Sequence, residues 1–138
     1  MNENLLIKKA QEQSLDAFVA ILPKVIGCDG WEQRQSSNYV EERYFRRAVL
    51  GLEITVAIAD DSGFQDYQFS LWLKPIGPCA AETSFVDGLA DCVARQFAGC
   101  GYEVLRPHDS RQGSGGIIYR LNPDEDAKLR EKVVKEEI

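Results

Sequence analysis

The chain has no long hydrophobic run of the kind that enters or crosses a membrane. Its N-terminal apolar run is only Leu5-Leu6-Ile7 and is followed at once by two lysines. A secretory signal needs a longer apolar region, and a membrane-spanning helix needs about 20 apolar residues. We therefore expect a cytoplasmic protein that does not associate with membranes.

The sequence also lacks the motifs that bind metals or nucleotides. Its four cysteines form no C-x-x-C pair, and in a reducing cytoplasm we expect them to be free thiols. The phosphate-binding pattern G-x-x-x-x-G-K-[ST] is absent. Asp60-Asp61 has no neighbouring carboxylate cluster to supply the roughly six oxygen ligands of a hard cation, so turn chemistry explains the pair. We predict no cofactor and no metal.

Basic residues are outnumbered, with 16 Lys and Arg against 22 Asp and Glu and a net charge of -6. A negative protein repels phosphate backbones at long range, which disfavours a nucleic-acid partner. The same balance suits a basic protein partner, although it is also a common setting for solubility. The length of 138 residues and the 44% hydrophobic content predict one folded domain over residues 1–138.

Two stretches of alternating hydrophobicity predict a β-hairpin over residues 52–74. The turn between them is Asp60-Asp61-Ser62-Gly63. The apolar positions are Leu52, Ile54, Val56 and Ile58 on the first strand and Tyr67, Phe69, Leu71 and Leu73 on the second. A period of two places these side chains on one sheet face, which must be covered, and places Trp72 on the other face.

An amphipathic helix is predicted near the N-terminus. Its apolar stripe consists of Leu15, Phe18, Val19, Leu22, Val25 and Ile26. Leu6 and Ala10 are out of phase with this stripe, so either the helix breaks near Gln13 or its first turns face something else, such as a second subunit. We favour the break because Ser14 can cap a new helix.

The remaining patterns complete an α+β fold. We expect a charged strand over residues 38–49, a helix over 82–98, and short strands over 102–106 and 116–121. A third helix is expected to begin at Asn122-Pro123, with two thin apolar stripes, Leu129-Val133 and Val134-Ile138. The order α-β-β-β-α-β-β-α describes a mainly antiparallel sheet of about five strands with helices packed mainly on one face.

The loop over residues 107–116 is the best candidate for a ligand site. It holds the only histidine, His108, together with Arg111, Ser114 and several glycines. Glycine-rich backbone can direct its N–H groups at an anion, arginine adds a charge-assisted hydrogen bond, and histidine titrates near neutral pH. The alternative is a flexible hairpin loop without a ligand.

The charged strand is the second candidate, because it carries Arg43 and Arg46 among aromatic residues. These arginines could bind an anionic ligand or RNA, and RNA binding would need a continuous basic face. Alternatively, the strand is a charged sheet edge that resists pairing with other chains.

The sequence leaves two classes of function open, and no residue is predicted to be catalytic. The first class is a non-enzymatic module that binds or neutralises another protein, or forms a homodimer. Its candidate contact residues are Trp72, Leu6, Ala10, Val134 and Ile138. The second class is a small-molecule binder or enzyme with an anionic ligand between the 107–116 loop and Arg43 or Arg46, which must then lie close together. We favour the first class.

Overall fold

The structure, a computed structural model, describes residues 3–60, 66–108, 115–121 and 133–138. These residues form eight β-strands, two α-helices and one short 3-10 helix. The strands are β1 (Glu3–Lys8), β2 (Glu32–Gln35), β3 (Arg43–Val49), β4 (Leu52–Ile58), β5 (Phe69–Pro75), β6 (Glu103–Pro107), β7 (Gly116–Leu121) and β8 (Val133–Glu137), and the helices are α1 (Leu15–Ile26) and α2 (Thr83–Gly99). Within these ranges, no helix is long and apolar enough to span a membrane.

All eight strands belong to one antiparallel sheet in the order β2-β3-β4-β5-β1-β6-β7-β8. The fold is therefore α+β with an antiparallel sheet, as predicted. The expected number of about five strands is too low, and the expected order of elements differs. The reason is that β1 and β8 are short strands in segments predicted to be helical, and β2 is a short strand in a segment for which no element is predicted.

The N-terminal segment forms strand β1 rather than the start of a helix. It lies between β5 and β6, where Leu6 pairs with Leu105. Leu5, Leu6 and Ile7 are all fully buried. A contiguous apolar run of this length is typical of a strand with two buried faces, which explains why Leu6 and Ala10 do not fit a helical stripe.

The charged segment forms an interior strand, so its interpretation as a sheet edge is wrong. Strand β3 begins at Arg43, after the 3-10 turn Val40–Glu42, in which Glu41 and Glu42 adopt left-handed backbone that cannot continue an extended strand. The outer neighbour of β3 is β2. All four side chains of β2 are exposed, so no apolar alternation marks it in the sequence.

Residues 133–137 form strand β8, so the prediction of a helix is wrong for this part of the chain. β8 pairs with β7 from Leu121 opposite Val133 to Ile117 opposite Glu137. This pairing satisfies the outer backbone groups of β7, and two adjacent valines favour a strand. The predicted start of the helix at Asn122-Pro123 lies outside the described residues.

The predicted hairpin is confirmed by the pairing of β4 with β5. Ile54 lies opposite Leu73, and both side chains belong to the main core. Trp72 lies on the other sheet face, as the alternation predicts. Tyr67 departs from the prediction, because it precedes β5 and packs on the other face against Leu105. The predicted turn residues 61–63 lie outside the described residues.

Both helices pack on the same face of the sheet. The hydroxyl of Ser14 accepts a hydrogen bond from the backbone N–H of Ala17 at 3.1 Å, which confirms the predicted start of α1. Phe18 of α1 stacks on Phe69 of β5 and on Phe97 of α2, with ring centroids 4.1 and 5.5 Å apart. The main core is therefore one apolar layer between the two helices and one face of the sheet.

A carboxylate on α2 fastens this helix to strands β7 and β8. Asp91 accepts hydrogen bonds from Tyr119 at 2.8 Å, from Lys135 at 2.9 Å and from Arg95 at 2.8 Å. Burial opposes ionisation of Asp91, but these hydrogen bonds outweigh it and hold the pKa of the carboxyl below its usual range. Asp91 is therefore ionised at neutral pH and joins one helix to two strands.

A guanidinium makes a second junction on the same side of the sheet. Arg106 on β6 donates hydrogen bonds to Glu3 on β1 at 3.0 Å and to Asp87 on α2. Burial lowers the pKa of Arg106, but its carboxylate partners have the larger combined effect and raise it above its usual value. This charged contact holds β6 against both β1 and α2.

We expect Asp91→Asn to lower the free energy of unfolding by about 1–3 kcal/mol near neutral pH, because its donors lose an ionised acceptor. A carboxyl with a depressed folded-state pKa stabilises the protein above its unfolded pKa, and this stabilisation declines as the pH falls toward the folded value. The difference in the free energy of unfolding between Asp91→Asn and wild type should therefore become smaller below about pH 4. Urea unfolding over a series of pH values measures this difference, and Asp29→Asn, at an exposed carboxylate, is the control. A difference independent of pH would contradict the role of the charge.

The two-residue turn between β3 and β4 carries a poorly suited residue. Leu50 has a φ of 55° and a side chain that is 70% exposed. Asparagine tolerates left-handed backbone better than leucine, so Leu50→Asn should stabilise the protein by about 1 kcal/mol and raise the melting temperature by about 3 °C. Gly51→Ala should act in the opposite direction, because its Cβ would lie 2.5 Å from the carbonyl oxygen of Cys79. Thermal unfolding of both variants tests this pair of effects.

Candidate functional site

One face of the sheet, which we call the open face, carries neither α1 nor α2. Directly paired residues of neighbouring strands share a face, so the register identifies its members. Within the described residues its central side chains are Tyr44, Arg46, Thr55, Ala57, Ser70, Trp72, Asn4, Leu6, Leu105, Ile118 and Val134. With strands about 4.8 Å apart, eight of them make this face roughly 34 Å wide.

The apolar part of the open face lies over β1, β6 and β7. Leu6 and Leu105 are buried together with Tyr67, and Ile118 packs against them. The Tyr67 hydroxyl donates a hydrogen bond to Glu103 at 2.9 Å, and burial together with that carboxylate raises the pKa of Tyr67. Leu6 is thus covered by its own neighbours, and its side chain is not exposed to a partner in this structure.

A polar row crosses the centre of the open face. Thr55, Trp72 and Asn4 are successive partners on β4, β5 and β1, and Ser70 lies in the next row. Thr55, Ser70 and Asn4 are each less than a tenth exposed. Trp72 is partly exposed. The row therefore combines buried polar groups with an aromatic side chain that a partner can reach.

Asn4 places an unsatisfied carboxamide in this row. The residue is only 6% exposed, and neither its Nδ2 nor its Oδ1 has a hydrogen-bond partner in the described part of the chain. Leaving a buried polar group unpaired costs about 1–3 kcal/mol. The unpaired amide is therefore a local cost to the stability of this face.

Opposite charges alternate on and beside the open face. Arg46 lies 3.2 Å from Glu53, and Lys8 lies 2.6 Å from Asp66. The acidic members are Glu32, Glu53, Asp66, Glu103 and Glu136, and the basic members are Lys8, Arg34, Arg46, Lys74 and Arg120. The net negative charge of the chain is therefore not concentrated on this face.

The structure does not bring the two predicted ligand-binding segments together. His108 follows β6, is half exposed, and contacts the carboxylate of Glu137 on β8. Arg46 lies on β3, which β4, β5 and β1 separate from β6. Arg111 and Ser114 lie outside the described residues. The described residues thus do not assemble the anion site between His108 and the arginine strand.

Arg43 lies on the helix-covered face, opposite to Arg46. Its guanidinium donates hydrogen bonds to Asp16 at 2.9 Å and to Glu41 at 2.9 Å. These two contacts raise the pKa of Arg43 above its usual value. The donors of Arg43 are therefore already directed at carboxylates within the protein.

The other predicted contact residues are distributed over several regions. Trp72 lies near the centre of the open face, and Val134 lies on the same face at its far edge. Ile138, which is 54% exposed, continues β8 and pairs through its backbone with Gly116. Ala10 is exposed between β1 and α1, beside a pocket of about 320 Å³. Trp72 is the predicted contact residue closest to the unsatisfied Asn4.

The sequence interpretation missed Asn4, Thr55 and Ser70. Thr55 and Ser70 occupy the polar positions of the alternating hairpin, which are ordinarily solvated, so the alternation alone gave no reason to expect them to be buried. Asn4 precedes the apolar run of β1 and was attributed to a helix. The alternation did predict the sheet face of Thr55 and Ser70, because it places Trp72 on that face. It did not predict that these side chains are buried, nor that Asn4 lies in the same row as Thr55 and Trp72.

Comparison with known proteins supplies no further lead. No protein-family model, curated protein or solved structure matches this chain. Among the described residues, no group of three His, Cys, Asp or Glu side chains could hold a metal ion. The class of protein is therefore defined by its fold, an α+β fold in which α1 and α2 pack on one face of an antiparallel sheet.

Leu6→Ala should lower the free energy of unfolding by about 2–5 kcal/mol, because it removes a fully buried side chain from the Leu6, Tyr67 and Leu105 cluster. Ile138→Ala is the matched control, since Ile138 is exposed and its change should stay within about 0.5 kcal/mol. Urea unfolding compares them. Equally small effects would contradict the contribution of Leu6 to this cluster.

Proposed function

We propose that this protein is a non-enzymatic binding module that holds an extended segment of another protein on its open face. The observation that carries this proposal is the partly exposed ring of Trp72 near the centre of a sheet face that carries neither α1 nor α2. An indole offers a large apolar contact area together with one N–H donor. These are the properties of the aromatic side chains that are enriched in protein interfaces.

Trp72 is the expected energetic anchor. Tryptophan is enriched among the few interface residues that contribute most to binding, because a large rigid ring gains contact area at little cost in conformational entropy. On this face, Trp72 lies between Thr55 and Asn4 and stands among smaller side chains. A segment crossing the polar row would therefore contact the indole.

The arrangement of charge supports a protein partner over a nucleic acid. A nucleic-acid surface needs basic groups free to meet phosphates. Arg46 is instead directed at Glu53 and Glu32, and Arg120 at Glu103 and Glu136. A surface with balanced charges suits an uncharged or mixed-charge segment, so the acidic net charge of the chain does not select a basic partner here.

Panning a displayed library of random peptides on the immobilised protein tests the proposal. We expect enrichment of peptides that bind wild type, and we expect Trp72→Ala to weaken their binding at least about tenfold, as removal of an interface anchor does. Isothermal titration with the synthesised peptide measures both dissociation constants. Phe85→Ala, which removes an aromatic side chain that is 44% exposed on α2, is the matched control and should leave binding unchanged.

Two results would contradict the proposal. One is a set of peptides that bind wild type and Trp72→Ala equally well. The other is a stable dimer of the wild-type protein, observed by sedimentation, that Trp72→Ala dissociates; the open face would then be an interface between two copies of this chain.

A further inference from the structure

We propose that two copies of this chain pair edge to edge through strand β2 and form one continuous antiparallel sheet. β2 is the first strand in the sheet order, so one of its two edges has no strand beside it within the described residues. All four of its side chains are exposed. This edge is a different surface from the open face, so the pairing does not depend on the proposed function.

The hydrogen bonds of β2 identify the backbone groups that point outward. The N–H of Ser36 donates to the carbonyl oxygen of Glu42 at 3.0 Å, in the same register that pairs β2 with β3. Successive residues of an antiparallel strand alternate between bonding to one neighbour and bonding to the other. Counting back from Ser36, Gln33 and Gln35 therefore direct their N–H and C=O groups away from β3. These are the groups with which a further strand can pair.

The charges of β2 favour a second copy as its partner. When two β2 strands run antiparallel with Gln33 facing Gln33, Glu32 of each copy lies opposite Arg34 of the other. Both side chains belong to the open face, so each pair lies on one side of the joined sheet. Opposite charges at directly facing positions stabilise a strand pair, and like charges destabilise it. Pairing Gln33 with Gln35 instead would set Arg34 against Arg34, so the charges also select the register.

The same charges are accessible and can exchange their contacts. Glu32 and Arg34 contact each other within one chain, and their side chains are each about half exposed. Glu32 also lies 3.6 Å from Arg46. Exposed ion pairs contribute little to stability, so replacing a contact within one strand by two contacts between strands costs little.

The opposite edge strand, β8, is less suited to pairing with a second copy. Its lysine contacts Asp91, and its two glutamates contact Arg120 and His108. The charged side chains of β8 are thus directed at groups of the same chain. Among the described strands, β2 is therefore the edge whose charges best complement a second copy.

The pairing has a defined symmetry. A two-fold axis perpendicular to the sheet relates the two antiparallel β2 strands, and an interface of this kind closes after two copies. Because Glu32 and Arg34 of both copies lie on the open face, the two open faces are joined on the same side. The two Trp72 side chains then lie on one continuous sheet face.

Sedimentation velocity over a series of protein concentrations tests the pairing. We expect a reversible equilibrium between monomer and dimer for wild type. Arg34→Glu sets like charges opposite each other at both positions, so the dissociation constant of its dimer should rise at least about tenfold. Lys24→Glu makes the same change of charge at an exposed position on α1, and Trp72→Ala alters the open face. Both of these controls should dimerise like wild type.

A charge exchange identifies the register. Glu32→Arg sets arginines opposite each other and should dimerise as poorly as Arg34→Glu. A mixture of these two variants restores both opposite-charge pairs between unlike chains, so it should form heterodimers with near wild-type affinity. The variant that carries both changes should form homodimers for the same reason. Failure of the mixture and of the double variant to dimerise would overturn the proposed register.

Removal of an outward donor tests the backbone pairing. Gln33→Pro lacks the N–H that faces the second copy, and proline is tolerated on an edge strand where this N–H faces outward. We expect a monomer with the circular dichroism spectrum of wild type. If this variant does not fold, Arg34→Glu tests the same interface through an exposed side chain.

The outcomes distinguish this pairing from the proposed function. A wild-type protein that stays monomeric at millimolar concentration would overturn the pairing and leave the binding module standing. A dimer that Arg34→Glu does not weaken would also overturn it. A dimer that Trp72→Ala dissociates would instead place the interface on the open face, against both proposals. If no peptide binds wild type but Arg34→Glu weakens its dimer, the proposed function fails and the pairing through β2 stands.

Discussion

The position of β1 in the middle of the sheet is the constraint on which the rest of the structure depends. β1 pairs with β5 on one side and β6 on the other, so it joins strands β2 to β5 with strands β6 to β8. Leu5 and Ile7 contribute to the core beneath the helices, while Leu6 fills the cluster on the open face. A six-residue strand thus supplies apolar contacts to both faces and continuity to the sheet.

Charged junctions reinforce this arrangement on the helix-covered side. Arg106 connects β6 with Glu3 at the start of β1 and with Asp87 on α2. Asp91, one turn further along α2, accepts hydrogen bonds from Tyr119 on β7 and Lys135 on β8. The two junctions lie on the half of the sheet whose strands are contributed by the C-terminal part of the chain. Each acts where a partly buried charge has its hydrogen-bond partners, so that the charge is not left unpaired.

Because α1 and α2 pack on one face, the described residues that cover the opposite face come mainly from the strands themselves. Leu6, Tyr67 and Leu105 achieve this locally by packing on one another. The row through Thr55, Trp72 and Asn4 does not, because it keeps an unpaired amide and a partly exposed indole. Departures of this kind from local consistency are expected at functional or strained positions of a protein.

The sequence by itself determined the elements whose signal is local. The β4–β5 hairpin follows from a period of two, and the start of α1 follows from Ser14 ahead of an apolar helical stripe. Only the tertiary structure decided that β1, β2 and β8 are strands. β1 has a contiguous apolar run between polar ends, β2 is polar throughout, and the apolar residues near β8 are split between two stripes, so none of the three shows a clear period of two. It also decided that Asn4 lies opposite Trp72, since strand pairing joins residues that are far apart in the chain and depends on a register that no local pattern specifies.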